Sequence, residues 1–431
     1  MKAVLLKNGF LVTPQRVMRG DIVLRNGRIE FVSGKIGFDE VIDISGRYVV
    51  PGFVDIHFHG YNLFEFNVGL YDPKTSTFDS SRAAYEQGFD MLSRKLAEFG
   101  VTGFYLSTWA ASIETLKLCY GRLADYLSKA NDASAGARLL GGGLEGTFIN
   151  PDMAGAMNPD LVLEPTPDVF ERIEDHGTIK LANVVPDAGR KSCELTKYLT
   201  DKGIVVGAGH TNATCSQVAD TIKAGLKYSI HFTNGPTGGS YKPFDGGGAI
   251  EAVLQFDELY AEQICDGFHV NPAYVRDIIK RKGVDKILGV TDCTFVAGSD
   301  LKQFSVAGVH GVVSDDGGYF RVVGKENTLF SSNLTMNRGF ANLLNWLTTD
   351  MQGIWNRRHE AMELEKALVA TAKMFSTNAC KLIGLEAEGC GSVVDGAKAD
   401  LCVLDVTGSP GNYKVTVEST IINGNTAYSA K

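Results

Sequence analysis

Eight short apolar runs that alternate with helical stretches constrain the fold of this chain more than any other feature. They span residues 54–57, 101–106, 139–145, 179–185, 204–207, 228–231, 261–265 and 286–290. Between them, residues 85–99 place apolar side chains at steps of four and three before Gly100, and another helix is expected from the Asn271 cap and Pro272 to near Gly283. Eight strands alternating with helices predict an α/β fold built on a (β/α)8 TIM-like barrel.

Both ends of the chain have the pattern of strands rather than helices. Residues 1–51 and 381–431 contain short apolar runs, and Asn-Gly pairs at 8–9, 26–27 and 423–424 are interpreted as turns. Because the ends of a folded chain commonly lie close together, we expect them to pair into one small β-sandwich domain. The expected organisation is a small β domain made of 1–51 and 381–431, and a barrel domain made of 52–380.

Charge and hydrophobicity narrow the class of partner. The 431 residues include 42 Lys plus Arg and 50 Asp plus Glu, giving a formal net charge of −8 without long runs of like charge. This balance disfavours nucleic acid and anionic membranes and favours a small molecule. No apolar segment is long enough to span a membrane, so we expect a soluble, cytoplasmic protein. The eight scattered cysteines are interpreted as reduced thiols.

Ionisable residues stand at the carboxyl ends of the predicted strands. They are five of the eight histidines, His57, His59, His210, His231 and His269, together with Glu145 and Asp292. Catalytic groups of such barrels lie at the carboxyl ends of the strands, so we expect these side chains to converge. A single histidine at a strand end is more often structural. Imidazoles and carboxylates together indicate a divalent transition metal of the zinc or iron kind.

A metal held in this way suits the hydrolysis of an amide, because it acidifies water and polarises a carbonyl oxygen. Asp292, at the end of the eighth strand, is the candidate acid and base that takes a proton from water and returns it to the leaving amine. The alternative interpretation of Asp292 is a metal ligand or a helix cap. Both alternatives are compatible with a role as base.

Six motifs in this order resemble the amidohydrolase superfamily. They are Pro-Gly-Phe-Val-Asp-Ile-His-Phe-His-Gly at 51–60, Leu-Glu-Gly at 144–146, Gly-His-Thr-Asn-Ala at 209–213, His-Phe-Thr-Asn at 231–234, Ile-Cys-Asp-Gly-Phe-His at 264–269 and Val-Thr-Asp at 290–292. Within the superfamily they resemble the N-acetylglucosamine-6-phosphate deacetylase family, and residues 395–405 are similar to its closing strands. The resemblance implies a metal-dependent deacetylase of an N-acetylated amino sugar, by default N-acetylglucosamine 6-phosphate, and a homodimer.

The resemblance also implies a role for each site residue. Glu145, His210 and His231 would hold the main metal, and His57 and His59 would bind a second ion in relatives that keep both histidines. Asp292 would be the acid and base, and His269 would contact the substrate near its amide. The other stretches that match substrate-contacting positions of the family are Asn234, Gly235, Leu329, Phe330 and Ser331.

Several positions depart from the family pattern around the substrate. A family Gly-Ala-His segment reads Gly155, Ala156 and Met157, and the arginine expected for phosphate after the sixth strand is missing, with Lys242 the nearest cation. Lysine offers phosphate a point charge rather than a planar fork, so Lys242 is interpreted either as a phosphate ligand or as a solvated side chain. We also expect the loop at 61–66 to bring aromatic rings to the mouth of the site, and the 6-phosphate to be discriminated weakly.

Two alternatives to this function are carried forward. The first is the same hydrolysis on a different N-acyl substrate: another acetylated hexosamine, an unphosphorylated sugar or an N-acyl amino acid. The second is a catalytically silent barrel that serves as a scaffold, which is disfavoured because every expected metal and acid-base residue is present. Hydantoinase-like relatives carry a carboxylated lysine at the end of the fourth strand, whereas residues 184–187 here contain no lysine.

Overall fold

Strands and helices alternate through the part of the chain that the computed structural model describes, which is residues 3–34, 36–129, 136–174, 176–235, 246–325 and 327–430. The strands are β1 (Val4–Val12), β2 (Val17–Arg25), β3 (Arg28–Phe31), β4 (Glu40–Asp43), β5 (Tyr48–Pro51), β6 (Phe53–Asp55), β7 (Gly60–Tyr61), β8 (Phe64–Glu65), β9 (Gly69–Asp72), β10 (Thr77–Asp79), β11 (Val101–Thr108), β12 (Arg138–Phe148), β13 (Ile179–Val184), β14 (Val205–Ala208), β15 (Leu226–Ser229), β16 (Tyr260–Ile264), β17 (Ile287–Val290), β18 (Gln303–Val306), β19 (Val309–Val313), β20 (Phe320–Val322), β21 (Leu401–Ser409), β22 (Asn412–Ile422) and β23 (Asn425–Ser429). The α-helices are α1 (Arg82–Glu98), α2 (Ile113–Leu127), α3 (Pro167–Glu171), α4 (Arg190–Asp201), α5 (Cys215–Ala224), α6 (Ala249–Gln255), α7 (Pro272–Lys282), α8 (Met336–Leu347), α9 (Leu364–Ala372) and α10 (Asn378–Leu382).

The eight predicted strands form one parallel sheet. Its order is β17-β16-β15-β14-β13-β12-β11-β6, so each strand lies beside the preceding one in the chain, and a helix follows most of them. Every residue of β6, β11 and β17 is buried, as expected for a parallel sheet covered on both faces. The two helices singled out from the sequence are confirmed as α1 and α7, and the Asn271 side chain caps α7.

The two outer strands of this order, β6 and β17, are linked just beyond their carboxyl ends. The backbone N–H of Asp292 donates to the His57 carbonyl at 2.9 Å, and the His59 N–H donates to the Cys293 carbonyl at 2.8 Å. Phe58 and Cys293 form a parallel bridge between the same two segments. The first and last strands of the order therefore meet at the level of the predicted site.

A second sheet is built from both ends of the chain. Its order is β23-β22-β21-β5-β1-β2-β3, and β4 pairs with β1. The described strands from the two ends of the chain form a single hydrogen-bonded sheet, whereas the sequence predicted two packed sheets in a sandwich. The Asn-Gly turns at 26–27 and 423–424 are confirmed by positive φ at all four residues. The turn predicted at Asn8 is wrong, because β1 continues through it and absorbs the positive φ of Asn8 at a shift of register.

Polar contacts fix the second sheet against the parallel one. Arg138 is the first residue of β12, and Asp400 immediately precedes β21. The Arg138 guanidinium forms an ion pair with the Asp400 carboxylate at 2.5 Å. On α8, Asn345 accepts from the backbone N–H of Tyr413 at 2.6 Å and donates to its carbonyl at 2.9 Å. Among the described residues, no helix has the length and apolar character that crossing a membrane requires.

Two small sheets are inserted after the first and last strands of the parallel sheet, and the sequence predicted neither. The first comprises β7 to β10 and the second β18 to β20. The expected position of the aromatic residues in the first insertion is wrong. Phe64 and Phe66 are fully buried, with ring centroids 5.4 Å from Phe89 and 5.5 Å from Tyr120 respectively. These rings belong to the core because α1 and α2 supply apolar faces that cover them.

Candidate metal centre and active site

A buried cluster of four histidines surrounds one carboxylate. Glu145 Oε2 lies 3.3 Å from His57 Nε2 and 3.1 Å from His59 Nε2. The other oxygen, Oε1, lies 3.3 Å from His210 Nε2 and 3.0 Å from His231 Nε2. The side chains form two groups that share Glu145, and in each group the candidate ligand atoms lie within 4.8 Å of one another. The five residues predicted to bind metal are thus brought together.

Each cluster residue comes from a strand or from the turn after it. His57 and His59 follow β6, Glu145 belongs to β12, and His210 and His231 follow β14 and β15. His210, His231 and Asp292 have φ of 50°, 22° and 51°, a region that residues other than glycine seldom adopt. Backbone strain of this kind gathers at functional sites, where the surrounding fold holds it in place.

Three of the histidines are oriented by the nitrogen that faces away from Glu145. His57 Nδ1 lies 2.8 Å from Glu262 Oε2, His59 Nδ1 lies 2.9 Å from the Ser107 carbonyl, and His210 Nδ1 lies 2.8 Å from the Met153 carbonyl. An Nδ1–H that donates to such an acceptor leaves the Nε2 lone pair available, which is the usual arrangement of histidines that bind metal.

The cluster fits a divalent cation in its chemistry. The buried atoms His57 Nε2, His210 Nε2 and Glu145 Oε2 have no hydrogen-bond partner among the described residues. Buried polar atoms are nearly always paired, so three such atoms in one place indicate a missing partner. Imidazole nitrogen and carboxylate oxygen are the donors that zinc and iron accept.

The electrostatics of the cluster favour positive charge. Burial lowers the pKa of His59, but the adjacent carboxylates of Asp292 and Glu145 outweigh burial and raise it to about 10. Burial raises the pKa of Glu145, whereas the charge of His57 and the adjacent imidazoles of His210 and His231 hold it well below its ordinary value. The carboxylates stabilise protons on the imidazoles here, and a cation placed between the same groups satisfies them instead.

Asp292 lies beside the His57 and His59 pair. Its Oδ1 is 3.2 Å from His59 Nε2 and 3.7 Å from His57 Nε2. Burial raises the pKa of Asp292, but the hydrogen bond with His59 and the charge of His57 outweigh burial and keep it below its ordinary value. Its backbone is fixed on both sides, since its N–H donates to His57 and its carbonyl accepts from Ser332. This arrangement provides an ionised carboxylate in a fixed position.

His269 is held by a carboxylate of its own turn. Its Nδ1 lies 2.6 Å from Asp266 Oδ2, and Asp266 Oδ1 accepts the backbone N–H groups of Phe268 and His269 at 2.8 and 2.9 Å. Burial lowers the pKa of His269, but the hydrogen bond to Asp266 outweighs burial and raises it. The imidazole is therefore fixed in orientation with Nε2 facing away from Asp266.

One cavity of about 700 Å³ joins the cluster to the predicted substrate residues, within the size range of small-molecule sites. The predicted residues that line it are His59, Ala156, Met157, Glu145, His210, His231, Asn234, His269, Asp292, Leu329, Phe330 and Ser331. Gly235 lies behind His231, where an added Cβ would come within 2.9 Å of Nδ1. Lys242 lies outside the described residues.

Three further residues of this site, Glu262, Trp109 and Arg321, were not predicted from the sequence. Glu262 accepts from His57 and, at 2.9 Å, from the backbone N–H of His231. The Trp109 ring is stacked on that of His59, with centroids 6.4 Å apart, and Arg321 lines the cavity. Glu262 could have been recognised in the sequence as an ionisable residue within a segment that was predicted to be a buried strand. Such a residue ordinarily has a buried partner.

Replacing Glu262 by Gln is expected to lower the affinity for metal by about 10- to 100-fold, because His57 loses the carboxylate that orients it. Metal content after dialysis against a graded series of chelator concentrations measures the effect. Glu258→Gln, an exposed position before the same strand, is the matched control. Equal metal retention in the two variants would show that Glu262 does not orient the ligand.

Comparisons with known proteins agree over the whole chain, although no family model matches it. It is 26% identical over 444 residues to the N-acetylglucosamine-6-phosphate deacetylase of Bacillus subtilis (strain 168), covering 100% of this chain and 98% of the relative. The human enzyme of the same name is 26% identical over 440 residues, with 99% of this chain and 94% of the relative covered.

Solved structures give the same result. The N-acetylglucosamine-6-phosphate deacetylase from Thermotoga maritima matches with a TM-score of 0.76 and 25% identity, covering 99% of this chain and 100% of that one. The enzyme of the same name from Mycobacterium smegmatis has a TM-score of 0.79 at 22% identity over 99% of this chain and 100% of that one, and it shares the fold.

The fold and the histidine and carboxylate cluster resemble those of the amidohydrolase class. Within that class the chain is a relative of the N-acetylglucosamine-6-phosphate deacetylases, and the family resemblance of its six motifs is confirmed.

Proposed function

We propose that this chain is a metal-dependent hydrolase that removes the acetyl group from N-acetylglucosamine 6-phosphate, giving the free amine and acetate. The observation that carries the proposal is Glu145 between two pairs of histidines, with Asp292 beside one pair at the end of a cavity. The similarity of the whole chain to deacetylases of that name supports the choice of substrate. No observation favours a silent scaffold.

The residues that would hold metal are Glu145 with His210 and His231, and Glu145 with His57 and His59, for one or two zinc or iron ions. When bound, a divalent ion at such a site acidifies water and polarises a carbonyl oxygen. Glu145 is common to both groups, so it would serve either arrangement.

Asp292 is the group that moves the proton. Its carboxylate accepts a proton from water as the water oxygen bonds to the acetyl carbonyl carbon. It returns that proton to the amide nitrogen as the carbon–nitrogen bond breaks, so that acetate and amine leave. The lowered pKa of Asp292 keeps its side chain ionised, which is the form that accepts a proton. The Oγ atom of Ser331 lies 3.5 Å from Asp292 Oδ1.

The remaining cavity residues position the sugar. His269, fixed by Asp266, would contact the amide, and Asn234, whose side-chain amide donates to the His269 carbonyl at 3.3 Å, lies beside it. The sugar ring and the acetyl methyl group would be enclosed by other residues that line the cavity, which are Ala156, Met157, Leu329, Phe330 and Ser331.

We further infer that the parallel sheet closes into a (β/α)8 barrel, which the hydrogen bonds between the segments after β6 and β17 support. Closure also accounts for the contact of His59, from one end of the strand order, with Asp292, from the other. The barrel domain would be residues 52–380 and the smaller domain 1–51 with 381–431. A homodimer, implied by the family resemblance, is part of the proposal.

The test is a panel of N-acyl substrates given to metal-loaded and chelator-treated protein, with released acetate and amine measured. We expect turnover of N-acetylglucosamine 6-phosphate that is lost with the metal and restored by zinc or iron(II), because no other electrophile of comparable strength lies in the site. Full turnover by metal-free protein would contradict the mechanism. Preference for an N-acyl amino acid would contradict the substrate.

A further inference from the structure

Arg321 is the one Lys or Arg among the described residues that line the active-site cavity. It lies on β20, in the inserted sheet, and its neighbours in the strand face the other way. Phe320 and Val322 are 1% and 6% exposed and pack into the core, whereas Arg321 is exposed toward the cavity. The alternation of a strand therefore places the guanidinium on the side where a ligand enters.

The guanidinium of Arg321 makes no hydrogen bond or ion pair with any residue that the structure describes. Two arginines that are partly or fully buried do have partners. Arg138 forms an ion pair with Asp400. Arg276 donates hydrogen bonds to the carbonyls of Thr349 and Glu360 at 3.1 and 2.9 Å. An unengaged cation in the wall of a cavity has its planar fork of donors available for a ligand anion.

The backbone of Arg321 is held on both sides. It pairs with Val312 of β19 in the antiparallel register and bridges to Leu329. Val322 donates to the Thr328 carbonyl at 3.0 Å, and Phe330 donates to that of Phe320 at 3.0 Å. Because Thr328, Leu329 and Phe330 line the same cavity, the strand that carries Arg321 is fixed to the wall of the substrate site.

The cavity is therefore lined by two sets of residues that differ in the ligand groups they accept. The first set contains the carboxylates of Glu145 and Asp292 with the histidines, and it is suited to a metal ion, water and a neutral amide. Arg321 supplies positive charge within the same 700 Å³ space, with the side-chain amides of Asn158 and Asn327 also in the wall. A substrate with a neutral amide and a separate phosphate matches both sets of residues, since a guanidinium binds phosphate through two parallel hydrogen bonds.

We propose that Arg321 binds the phosphate of the substrate and sets the preference for a phosphorylated over an unphosphorylated N-acetyl amino sugar. This inference rests on the proposed function and assigns the phosphate to the inserted sheet rather than to the segment after β15 that contains Lys242. It also reverses the expectation of weak discrimination, because the cavity contains a cation that the sequence did not indicate.

The experiment compares the parent, Arg321→Met, Arg321→Lys and the control Lys302→Ala. Lys302 is exposed immediately before β18 of the same sheet and does not line the cavity. Turnover gives the ratio of kcat/KM for N-acetylglucosamine 6-phosphate to that for N-acetylglucosamine. Calorimetry of the same four proteins carrying Asp292→Asn gives the affinity for both sugars without turnover.

We expect Arg321→Met to lower both the phosphate preference and the affinity for the phosphorylated sugar by about 10- to 100-fold, the effect of a lost charged hydrogen bond. Arg321→Lys is expected to lose less, because it keeps the charge without the fork, and Lys302→Ala to match the parent. An unchanged preference and affinity in Arg321→Met, or an equal loss in Lys302→Ala, would overturn the inference.

The two arms separate this inference from the proposed function. If the parent hydrolyses neither sugar, the proposed function is wrong, and the calorimetric comparison still decides whether Arg321 binds phosphate. If the parent hydrolyses both sugars equally and Arg321→Met changes nothing, the deacetylase function stands and the role of Arg321 is refuted.

Discussion

Replacing Asp292 by Asn is expected to lower kcat by at least about 100-fold while leaving the fold and most of the metal in place. Asn has nearly the same shape, and its backbone bonds to His57 and Ser332 do not involve the side chain. Its amide oxygen can still face His59, but it neither takes up nor returns a proton. Steady-state kinetics, metal analysis and a thermal unfolding curve on the same preparation measure the three quantities.

The control for this variant is Asp300→Asn, an exposed aspartate on the segment that follows β17. It tests whether the loss of one negative charge elsewhere on that segment slows turnover. Turnover by Asp292→Asn within a few-fold of the parent would show that Asp292 is a ligand or a structural residue. Loss of metal in parallel with activity would assign it to the metal centre instead of to proton transfer.

Replacing Glu145 by Gln is expected to have the largest effect on metal content, because Glu145 is the one residue that belongs to both groups. Gln keeps the size of the side chain but removes the charge that the surrounding histidines stabilise. We expect metal content near zero and a loss of turnover of about 10³-fold or more, equivalent to the several kcal/mol that a Lewis acid contributes. Metal analysis of protein purified with added zinc or iron(II) measures the first quantity.

Single histidine variants locate the ions. His210→Ala removes a ligand of one group and His59→Ala a ligand of the other. If two ions bind, each variant should retain about half of the parent's metal. If one ion binds with His210 and His231, His59→Ala should retain it while His210→Ala should not. His310→Ala, at an exposed histidine of the inserted sheet, is the control. Full metal content in Glu145→Gln would contradict the assignment of the centre.

The parallel sheet and the place of the metal cluster were predictable because both depend on local pattern. Apolar runs with stop signals give the strands, and in a parallel sheet all carboxyl ends lie on one side, so the residues that follow the strands meet. His57, His210, His231 and Asp292 follow their strands, and Glu145 lies near the carboxyl end of β12, although the five residues are spread over more than half of the chain. The strand topology alone was enough to predict that these side chains lie close together.

Other parts of the site depend on contacts between distant segments. Glu262 lies within β16 rather than after it, and its partner His57 is 205 residues away. Arg321 reaches the cavity because the register of β19 and β20 sets which side chain faces inward, and that register is fixed by packing around Phe304 and Phe320. A pattern of apolar residues does not indicate either contact.

The aromatic residues after β6 could either line the mouth of the site or pack into the core, and the sequence does not distinguish these two positions. Phe64 and Phe66 were expected at the mouth of the site, yet both are buried. Gly88, on α1, leaves room for the Phe64 ring, since an added Cβ would lie 2.0 Å from a ring carbon. The burial of the Phe64 ring therefore requires a glycine in the helix that follows the inserted sheet.

The pairing of β5 with β21 has a consequence for how the molecule is made. Val49 and Val50 hydrogen-bond to a strand that begins at Leu401, so β5 has an open edge until almost all of the segment that forms the parallel sheet has left the ribosome. Contacts this distant in sequence slow folding, and an unpaired strand edge invites association with other chains. Folding of the parallel sheet does not require that edge, since β6 pairs with β11 alone in the strand order. We therefore expect the central sheet to form first during synthesis, with the N-terminal strands docking late, when β21 to β23 supply their neighbours.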